Sequence, residues 1–285
     1  MTSRIMLMWI LKNFKAKPFG ILGCVLVFLT IFAAIFADFI SPYDKDHMEL
    51  HNRLKPPFWA NGGEWKHPLG TDSMGRDILS RLIHGARGSM IIGISAAAIA
   101  LFIGVSLGLL SGYIGGNLDR LIMHMVDAML ALPGTMLAIL LVAIIGPHQI
   151  SVILALGMTM WSEYAKVIRA RVLTLKEEPF VLASKAFGIS NIGIISKHLL
   201  PNIAHIIVIV FTIQIGLIIL WAAALNFIGF GGVTVSWGWD IAAGRIYISH
   251  AWWLPTFPGI ALSISVLGFI LIGDWLRDVL DPKLL

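Results

Sequence analysis

Long apolar segments alternate with short charged ones along this chain, and their lengths predict membrane-spanning helices. Residues 19–37 carry no charge and follow a basic segment, so the pattern predicts a first span over residues 18–39 and a cytoplasmic N-terminus over residues 1–17. A cleaved signal peptide is the alternative. It is disfavoured because the apolar run is longer than a typical signal core and no A-x-A site follows it.

The polar segment after the first span, residues 40–88, is predicted to form an external loop. In its second half Asp72 is a candidate helix cap, and Asp72/Arg76 and Asp77/Arg81 are spaced as i, i+4 pairs. Together with apolar residues on one face, this predicts an amphipathic helix lying along the membrane surface. A metal or catalytic site is the alternative, disfavoured because each acid has a neighbouring arginine. Its candidate residues are His67, Asp72, Asp77 and His84.

The rest of the chain, residues 89–285, is predicted to form a permease-like core of five further spans. One uncharged stretch is too long for a single helix and is interrupted at Pro147, which predicts two spans joined by an outer turn. Pro133 is expected to kink the first of these two. The six predicted spans leave both chain ends in the cytoplasm. The stretches that contain the five later spans are residues 89–113, 128–162, 202–227 and 257–273.

Small residues recur at every fourth position along the second predicted span, and so form one row on its surface. Such a row lets another helix backbone approach closely inside a membrane, where tight packing drives helix association. The row therefore predicts a helix-packing face. A substrate path along the same surface is the alternative. The members of the row are Ala96, Ala100, Gly104, Gly108 and Gly112.

The segment between the fourth and fifth predicted spans, residues 180–202, is here called the elbow. Pro179 suits the first position of a helix, and Gly188 suits the positive φ that ends one. Asn191 is a candidate cap for a second helix, which Pro201 is expected to stop. The elbow is therefore predicted to be two short helices joined by a sharp turn.

One face of the first elbow helix is expected to dock a partner protein. Two phenylalanines share this face, because they are spaced at helical intervals. Basic residues surround the elbow, so the positive-inside rule places a coupling region of about residues 169–201 in the cytoplasm. The residues that share the face are Phe180, Ala183, Ser184 and Phe187.

Composition supports a multi-pass membrane protein and excludes most soluble classes. Of the 285 residues, 58% are hydrophobic and 13% are charged. The net charge of +5 does not indicate nucleic-acid binding, because the basic residues flank apolar spans. Cys24 is the only cysteine, so a disulfide within the chain and a cysteine-based metal site are excluded.

The chain lacks the motifs of an energy-converting enzyme. No Gly-Lys dipeptide is present for a phosphate-binding loop, and neither H-E-x-x-H nor G-x-S-x-G occurs. We therefore expect no catalytic residue, cofactor or metal on this chain, and expect energy to arrive through the elbow from another subunit. His124 and Asp127 are spaced for a proton relay or an intramembrane enzyme, but a hydrogen-bonded pair is favoured. Gln214 is expected to bond between helices, with a place on the pathway as the alternative.

Several strings resemble one transporter family. The residues from Ala183 to Gly188, followed by Leu200 and Pro201, resemble the EAA motif of the membrane subunits of bacterial ABC importers. The match departs from that motif at Leu182, Ser184 and His198. Four other strings are similar to the C-type permease subunit of the dipeptide/oligopeptide/nickel family. These strings are HPLGTDSMGRDILSRLIHGAR, AMLALPG, AWWLPTFPG and GDWLRDVLDPKL.

The resemblance implies an all-α membrane protein with six transmembrane helices and the type I ABC importer transmembrane fold. The implied partners are a second, homologous permease subunit, two ATPase subunits that carry ATP and Mg, an external substrate-binding protein and the lipid bilayer. The implied place is a bacterial or archaeal cytoplasmic membrane. The implied cargo is a di- or oligopeptide, with nickel, glutathione or an oligosaccharide left open, and an autonomous carrier or channel is the rival from another class. The implied ATPase-coupling residues are Phe180, Ala183, Ser184, Lys185, Phe187, Gly188, Leu200 and Pro201.

Overall fold

The structure of the protein is a computed structural model that describes residues 18–232 and 234–280, and helices dominate both ranges. No β-strand forms in them, although an isolated antiparallel bridge pairs Thr71 with Asp77. In chain order the helices are α1 (Pro18–Ile35), α2 (Ala37–Ile40), α3 (Ile78–Ile114), α4 (Gly116–Ala131), α5 (Gly134–Ile145), α6 (Gln149–Thr159), α7 (Trp161–Leu175), α8 (Pro179–Ala186), α9 (Asn191–Ile194), α10 (Leu200–Ile228), α11 (Trp237–Gly244) and α12 (Trp253–Leu280).

Four long helical segments are apolar enough to cross a membrane: α1, α3, the run from α9 through α10, and α12. The pair α4 and α5 is apolar and long enough to cross a membrane when taken together, but the two helices meet at an angle of 90°. Pro133 lies at that bend, as the predicted kink requires. The predicted fourth span, which ends at residue 162, contains α6, and the helix breaks at Met160 before α7 begins. The chain is thus a multi-pass membrane protein with four long apolar helical segments and one sharply bent helix pair.

The longest helix, α3, begins well before the predicted second span. It runs for 37 residues from Ile78, and the Asp77 carboxylate caps it by accepting a 2.8 Å hydrogen bond from the Ser80 amide. The amphipathic helix predicted on the membrane surface is therefore wrong as a separate element, because residues 78–88 are the first turns of α3. No proline interrupts those turns. The predicted cap, Asp72, lies in the preceding turn instead.

Two buried polar contacts fasten the start of α3, one to the distant helix α11 and one to the preceding loop. The i, i+4 spacing predicted that Arg81 would pair with Asp77, but the structure does not contain this pair. The Arg81 Nε donates instead to Asp240 of α11, at 2.9 Å, and both side chains are buried. Asp77 contacts the buried His67, with 3.0 Å between Oδ1 and Nδ1. Pairing across the fold outweighs the local i, i+4 contact here, because α11 and the loop before α3 enclose these side chains.

The loop of residues 41–77 is held together by further polar contacts. The predicted pair of Asp72 and Arg76 is confirmed, with 2.6 Å between Oδ2 and Nε. Lys66 donates to both carboxylate oxygens of Glu49, and this contact lowers the pKa of Glu49 to about 2. The indole of Trp253 donates to the Thr71 carbonyl at 3.2 Å. The loop is therefore an ordered cover over the ends of α3 and α12.

Two tryptophans that follow α10 pack inside the protein. Trp237 and Trp253 are buried. The Trp237 indole donates a 2.9 Å hydrogen bond to the Leu82 carbonyl of α3. These two side chains therefore fasten α11 to α3, and the start of α12 to the loop of residues 41–77.

The row of small residues on α3 faces α6 and α7. Ala96 and Ala100 are fully buried. A Cβ added to Gly104 would lie 2.4 Å from the Trp161 carbonyl oxygen, and one added to Gly108 would lie 2.8 Å from that of Ala165. Further along, a Cβ on Gly112 would lie 2.8 Å from the side chain of α7's Val172. Because both residue numbers rise together, α3 and α7 run parallel in close backbone contact.

Candidate functional site

The first helix of the elbow ends in a Schellman motif. Its first residue is Pro179, as predicted, and Gly188 follows its end with φ = 73°, which confirms the predicted positive φ. The Gly188 amide donates to the Lys185 carbonyl at 3.0 Å, and the Ile189 amide donates to the Ser184 carbonyl at 3.1 Å. These two hydrogen bonds fix the angle at which the chain leaves α8.

The cap of the second elbow helix lies one residue earlier than predicted, at Ser190 instead of Asn191. The Ser190 hydroxyl, not the Asn191 side chain, caps α9 by accepting a 3.2 Å hydrogen bond from the Gly193 amide. Asn191 is engaged elsewhere, because its Oδ1 accepts a 2.9 Å hydrogen bond from the Tyr113 hydroxyl at the end of α3. The residue expected to cap a local helix thus links the elbow to the longest helix.

Pro201 does not stop the second helix, contrary to prediction. It lies in the first turn of α10, where a missing amide proton is tolerated, and α9 continues into α10 through a π-helical turn over Ile195–Leu199. The Asn202 side chain donates to the His198 carbonyl at 2.7 Å within this junction. The elbow therefore continues without a gap into a membrane-crossing helix, with Leu200 and Pro201 exposed at the junction.

Buried apolar side chains anchor the elbow to the helix ends beneath it. Val181, Ile194, Leu199 and Ile203 are all fully buried. They belong to one apolar cluster with residues of α3 and α7. The members of the cluster from those two helices are Val105, Leu109, Tyr113, Ile168, Val172 and Leu175. Displacement of the elbow would therefore expose this cluster, unless α3 and α7 move with it.

Charged contacts reinforce the same junction. Arg169 of α7 donates through Nε and Nη2 to the two Asp119 oxygens of α4, at 2.5 and 2.7 Å. The Ser111 hydroxyl of α3 also donates to Asp119. On the elbow itself, the Lys185 ammonium lies 5.2 Å from the centre of the Tyr113 ring, within range of a cation–π contact. Three helices and the elbow thus meet at one end of the bundle, here called the elbow end.

The outward side of the elbow exposes large apolar side chains. Phe187 is 86% exposed, Ile192 is 80% exposed and Phe180 is 40% exposed. Ala183 and Lys185 are exposed as well. We call the large apolar set the elbow surface; it comprises Phe180, Leu182, Phe187, Ile189 and Ile192.

Sequence reasoning found only part of the elbow surface. Ser184 was expected on it but is buried, and its hydroxyl donates to the Phe180 carbonyl at 2.7 Å. Leu182, Ile189 and Ile192 were not predicted to be part of this surface, because the prediction used only helical spacing within α8. The apolar residues that follow Gly188 were the available signal for two of these three.

Other candidate residues do not gather into a reactive site. His124 and Asp127 are exposed on α4. Gln214 is buried and donates through Nε2 to the Glu163 carboxylate of α7, which confirms the predicted bond between helices. Within residues 18–232 and 234–280, no three His, Cys, Asp or Glu side chains lie close enough together to hold a metal ion.

Two family matches cover most of the chain. Residues 104–285 match the family described as binding-protein-dependent transport system inner membrane component. Residues 7–57 match the family described as the N-terminal TM domain of oligopeptide transport permease C. The first match includes the elbow, α7 and most of the row of small residues on α3.

Similar proteins extend the match to nearly the full chain. The di/tripeptide transport system permease protein DppC of Pseudomonas aeruginosa is 41% identical over 96% of this chain and 91% of its own length. The dipeptide transport system permease protein DppC of Alkalihalophilus pseudofirmus is 38% identical over 96% of this chain and 88% of its own. The probable D,D-dipeptide transport system permease protein DdpC of Escherichia coli is 37% identical over 97% and 91%.

A solved structure of the MetNI methionine ABC transporter, described as inward facing, contains a chain with the same fold. The TM-score is 0.58 at 22% identity, over 70% of this chain and 96% of that one. This likeness agrees with the helical bundle described above. The chain therefore belongs to the family of binding-protein-dependent transport system inner membrane components, and it is a permease subunit with the transmembrane fold of a type I ABC importer.

Proposed function

We propose that the chain is a permease subunit through which an ATP-driven importer carries di- or oligopeptides. The names of the three relatives described above, which refer to dipeptides or tripeptides, support this cargo. Glutathione is the second candidate, because the glutathione transport system permease protein GsiD of Escherichia coli is 38% identical over 96% of this chain. Uptake assays that compare the two solutes decide between them.

The proposed complex contains a second permease subunit, two ATPase subunits and an external substrate-binding protein. ATP and Mg bind on the ATPase subunits, since this chain has no phosphate-binding loop. The elbow end lies in the cytoplasm of a bacterium or archaeon, as do both chain ends. This orientation rests on the basic residues around the elbow, including the exposed Lys185 and Lys197.

The elbow is the observation that carries the mechanism. Its outward side offers Phe180 and Phe187 for burial in a groove of an ATPase subunit, where each phenylalanine contributes about 1.5–3 kcal/mol if fully buried. Its inward side is fixed to α3 and α7 by the fully buried Val181 and Ile194. Closure of the ATPase subunits around ATP therefore moves the elbow, and the packed cluster passes that movement to the spans.

Replacement of Phe187 by Asp tests this role in the complete transporter reconstituted in proteoliposomes. We expect Phe187→Asp to abolish ATP-dependent dipeptide uptake and to weaken capture of the ATPase subunits, because a carboxylate replaces the most exposed ring of the elbow surface. Phe39→Asp is the matched control. Phe39 is 85% exposed, close to the 86% of Phe187, but lies on α2 at the opposite end of the bundle.

Two results would contradict the proposal. Unchanged uptake in Phe187→Asp would remove the elbow from energy coupling. Solute transport by the purified chain alone in liposomes would instead support an autonomous carrier. The control variant is expected to assemble and to transport at the rate of the wild-type complex.

A further inference from the structure

Glu163 is a carboxylate at the start of α7, away from the elbow end of the bundle. It lies in the first turn of α7, next to Trp161 and Tyr164, which contact α3 at Gly104. Gly104 precedes Tyr113, at the elbow end of α3, by nine residues, or about 13 Å along a helix. Glu163 is therefore more than two helical turns away from the elbow end.

The position of this carboxylate is fixed by α10. Gln214 is 3% exposed and donates through Nε2 to Glu163 Oε2. The other side-chain atom of Gln214, Oε1, is buried and has no hydrogen-bond partner among the described residues. Glu163 itself stays exposed. A buried amide thus holds an exposed carboxylate in place, and contact of that charge with lipid would be costly.

The exposed face of α7 is more polar than that of α1. Its exposed residues include Glu163, Lys166, Ala170 and Thr174, at i, i+3, i+7 and i+11, and this set is called the α7 stripe. Val167 is the one large apolar side chain exposed on α7, whereas the large exposed side chains of α1 are all apolar: Phe19, Leu22, Val25, Phe28, Leu29, Ile31, Phe32 and Ile35. The charged and small residues of the α7 stripe are typical of a surface that meets water or solute.

We propose that the α7 stripe lines the route of the solute, where Glu163 binds the protonated α-amino group of a short peptide and Lys166 receives its carboxylate. This assignment rests on the proposed import of peptides. Side chains at i and i+3 stand about 5–6 Å apart at Cβ, and an extended dipeptide spans about 7 Å. Within the described part of the chain no ion pair joins Glu163 to Lys166, so the two charges are separate.

Cysteine labelling tests whether the stripe faces water. Cys24 is the only cysteine of this chain, so Cys24→Ser removes its native thiol, and labelling is then measured on this chain after its separation from the other subunits. In the complete transporter in lipid nanodiscs, with and without ATP plus vanadate, we expect a charged methanethiosulfonate to modify Glu163→Cys and Ala170→Cys. Phe102→Cys, at a position of α3 that is 75% exposed, is the lipid-facing control and is expected to resist modification. Alanyl-alanine, delivered by the binding protein, should slow modification at position 163.

Transport by charge variants tests the contact itself. Glu163→Gln keeps a polar partner for Gln214 and removes the charge. We expect it to lower the uptake of alanyl-alanine at least about tenfold, the effect of one lost charge-assisted hydrogen bond, and capture of the ATPase subunits by the variant checks that the complex still assembles. Glu163→Asp is expected to recover part of the uptake, and Lys166→Met to lower it.

The possible failures are distinct from one another. Labelling at Phe102→Cys but not at positions 163 and 170 would overturn the route, because the stripe would then face lipid or the second permease subunit. Wild-type uptake by Glu163→Gln would overturn the contact with the amino group. Absence of ATP-dependent peptide uptake in the wild-type complex would instead refute the proposed function, and the labelling pattern would still report which surface meets water.

Discussion

Gly188 shows how a single residue determines the shape of the elbow. Its φ of 73° is one that residues with a Cβ rarely adopt, yet no atom lies within 4 Å of the place where a Cβ would stand. A side chain at position 188 is therefore disfavoured by the positive φ of the backbone and not by steric contact with other residues. The left-handed conformation costs about 1–2 kcal/mol for an ordinary residue and less for Asn.

Two substitutions at this position separate conformation from size. We expect Gly188→Val to reduce ATP-dependent uptake severalfold, because a β-branched residue disfavours positive φ and the exit angle of α8 changes. Gly188→Asn adds a similar volume but tolerates this φ, and is expected to retain most activity. Measurement of dipeptide uptake in proteoliposomes distinguishes the two. Equal activity of both variants would show that the Schellman turn does not govern coupling.

The roles of single elbow residues could be predicted from the sequence only where they depend on contacts with neighbouring residues in the chain. Gly188 and Pro179 were predicted correctly because turn chemistry depends on the residue itself. Asn191 was chosen as a cap although Ser190, one position earlier, has the same capacity. Its actual partner, Tyr113, is 78 residues away, and no local rule indicates such a contact.

At the scale of elements, the contact between α3 and α7 depends on missing side chains. Close approach of the two helices requires that Gly104, Gly108 and Gly112 carry no Cβ, since each added Cβ would lie less than 3.0 Å from an atom of α7. The spacing of the small residues on α3 predicted a helix-packing face. The structure shows that α7 packs against this face. The sequence alone could not identify that neighbour, because α3 and α7 are separated by three other helices along the chain.

A leucine in this row tests the packing. We expect Gly108→Leu to destabilise the chain by more than about 3 kcal/mol, because the side chain would meet the Ala165 carbonyl at 2.8 Å and Ile168 at 3.0 Å, and backbone cannot move aside cheaply. Gly259→Leu in α12 is the matched control, since no atom lies within 4 Å of a Cβ there. Thermal unfolding in detergent and the yield of assembled complex provide the readouts.

A correctly assembled complex with Gly108→Leu would show that α3 and α7 tolerate separation. Reduced stability of both variants would point to a general effect of leucine in these helices. The expected pattern is loss in Gly108→Leu and near-normal stability in Gly259→Leu, because only the first glycine lies against another backbone.

At the scale of the whole molecule, Arg81 and Asp240 join parts of the chain that are 159 residues apart. Arg81 is 3% exposed and Asp240 is 8% exposed, so each depends on the other for charge compensation. The second oxygen of Asp240 is buried without a hydrogen-bond partner among the described residues. The i, i+4 spacing predicted Asp77 as the partner of Arg81. Such spacing cannot predict contacts with residues far away in the sequence, such as Asp240.

Removal of one member of this pair should cost more than removal of both. We expect Arg81→Met to destabilise the folded chain by about 3–5 kcal/mol, because it leaves the Asp240 carboxylate buried and unpaired. The double variant Arg81→Met, Asp240→Leu is expected to recover most of that loss. The free energy of unfolding in mixed micelles, measured for both single variants and the double variant, gives the coupling. Additive losses would show that the pair contributes no coupling.

The 37 residues of α3 form an uninterrupted rod about 55 Å long. One tip carries Arg81 and is bound to α11, and the other carries Tyr113 and is bound to the elbow. Because it is a single helix, a tilt of about 5° about its midpoint would shift each end by about 2 Å in opposite directions. Any tilt of α3 at the elbow end would therefore be accompanied by displacement of the end bound to α11.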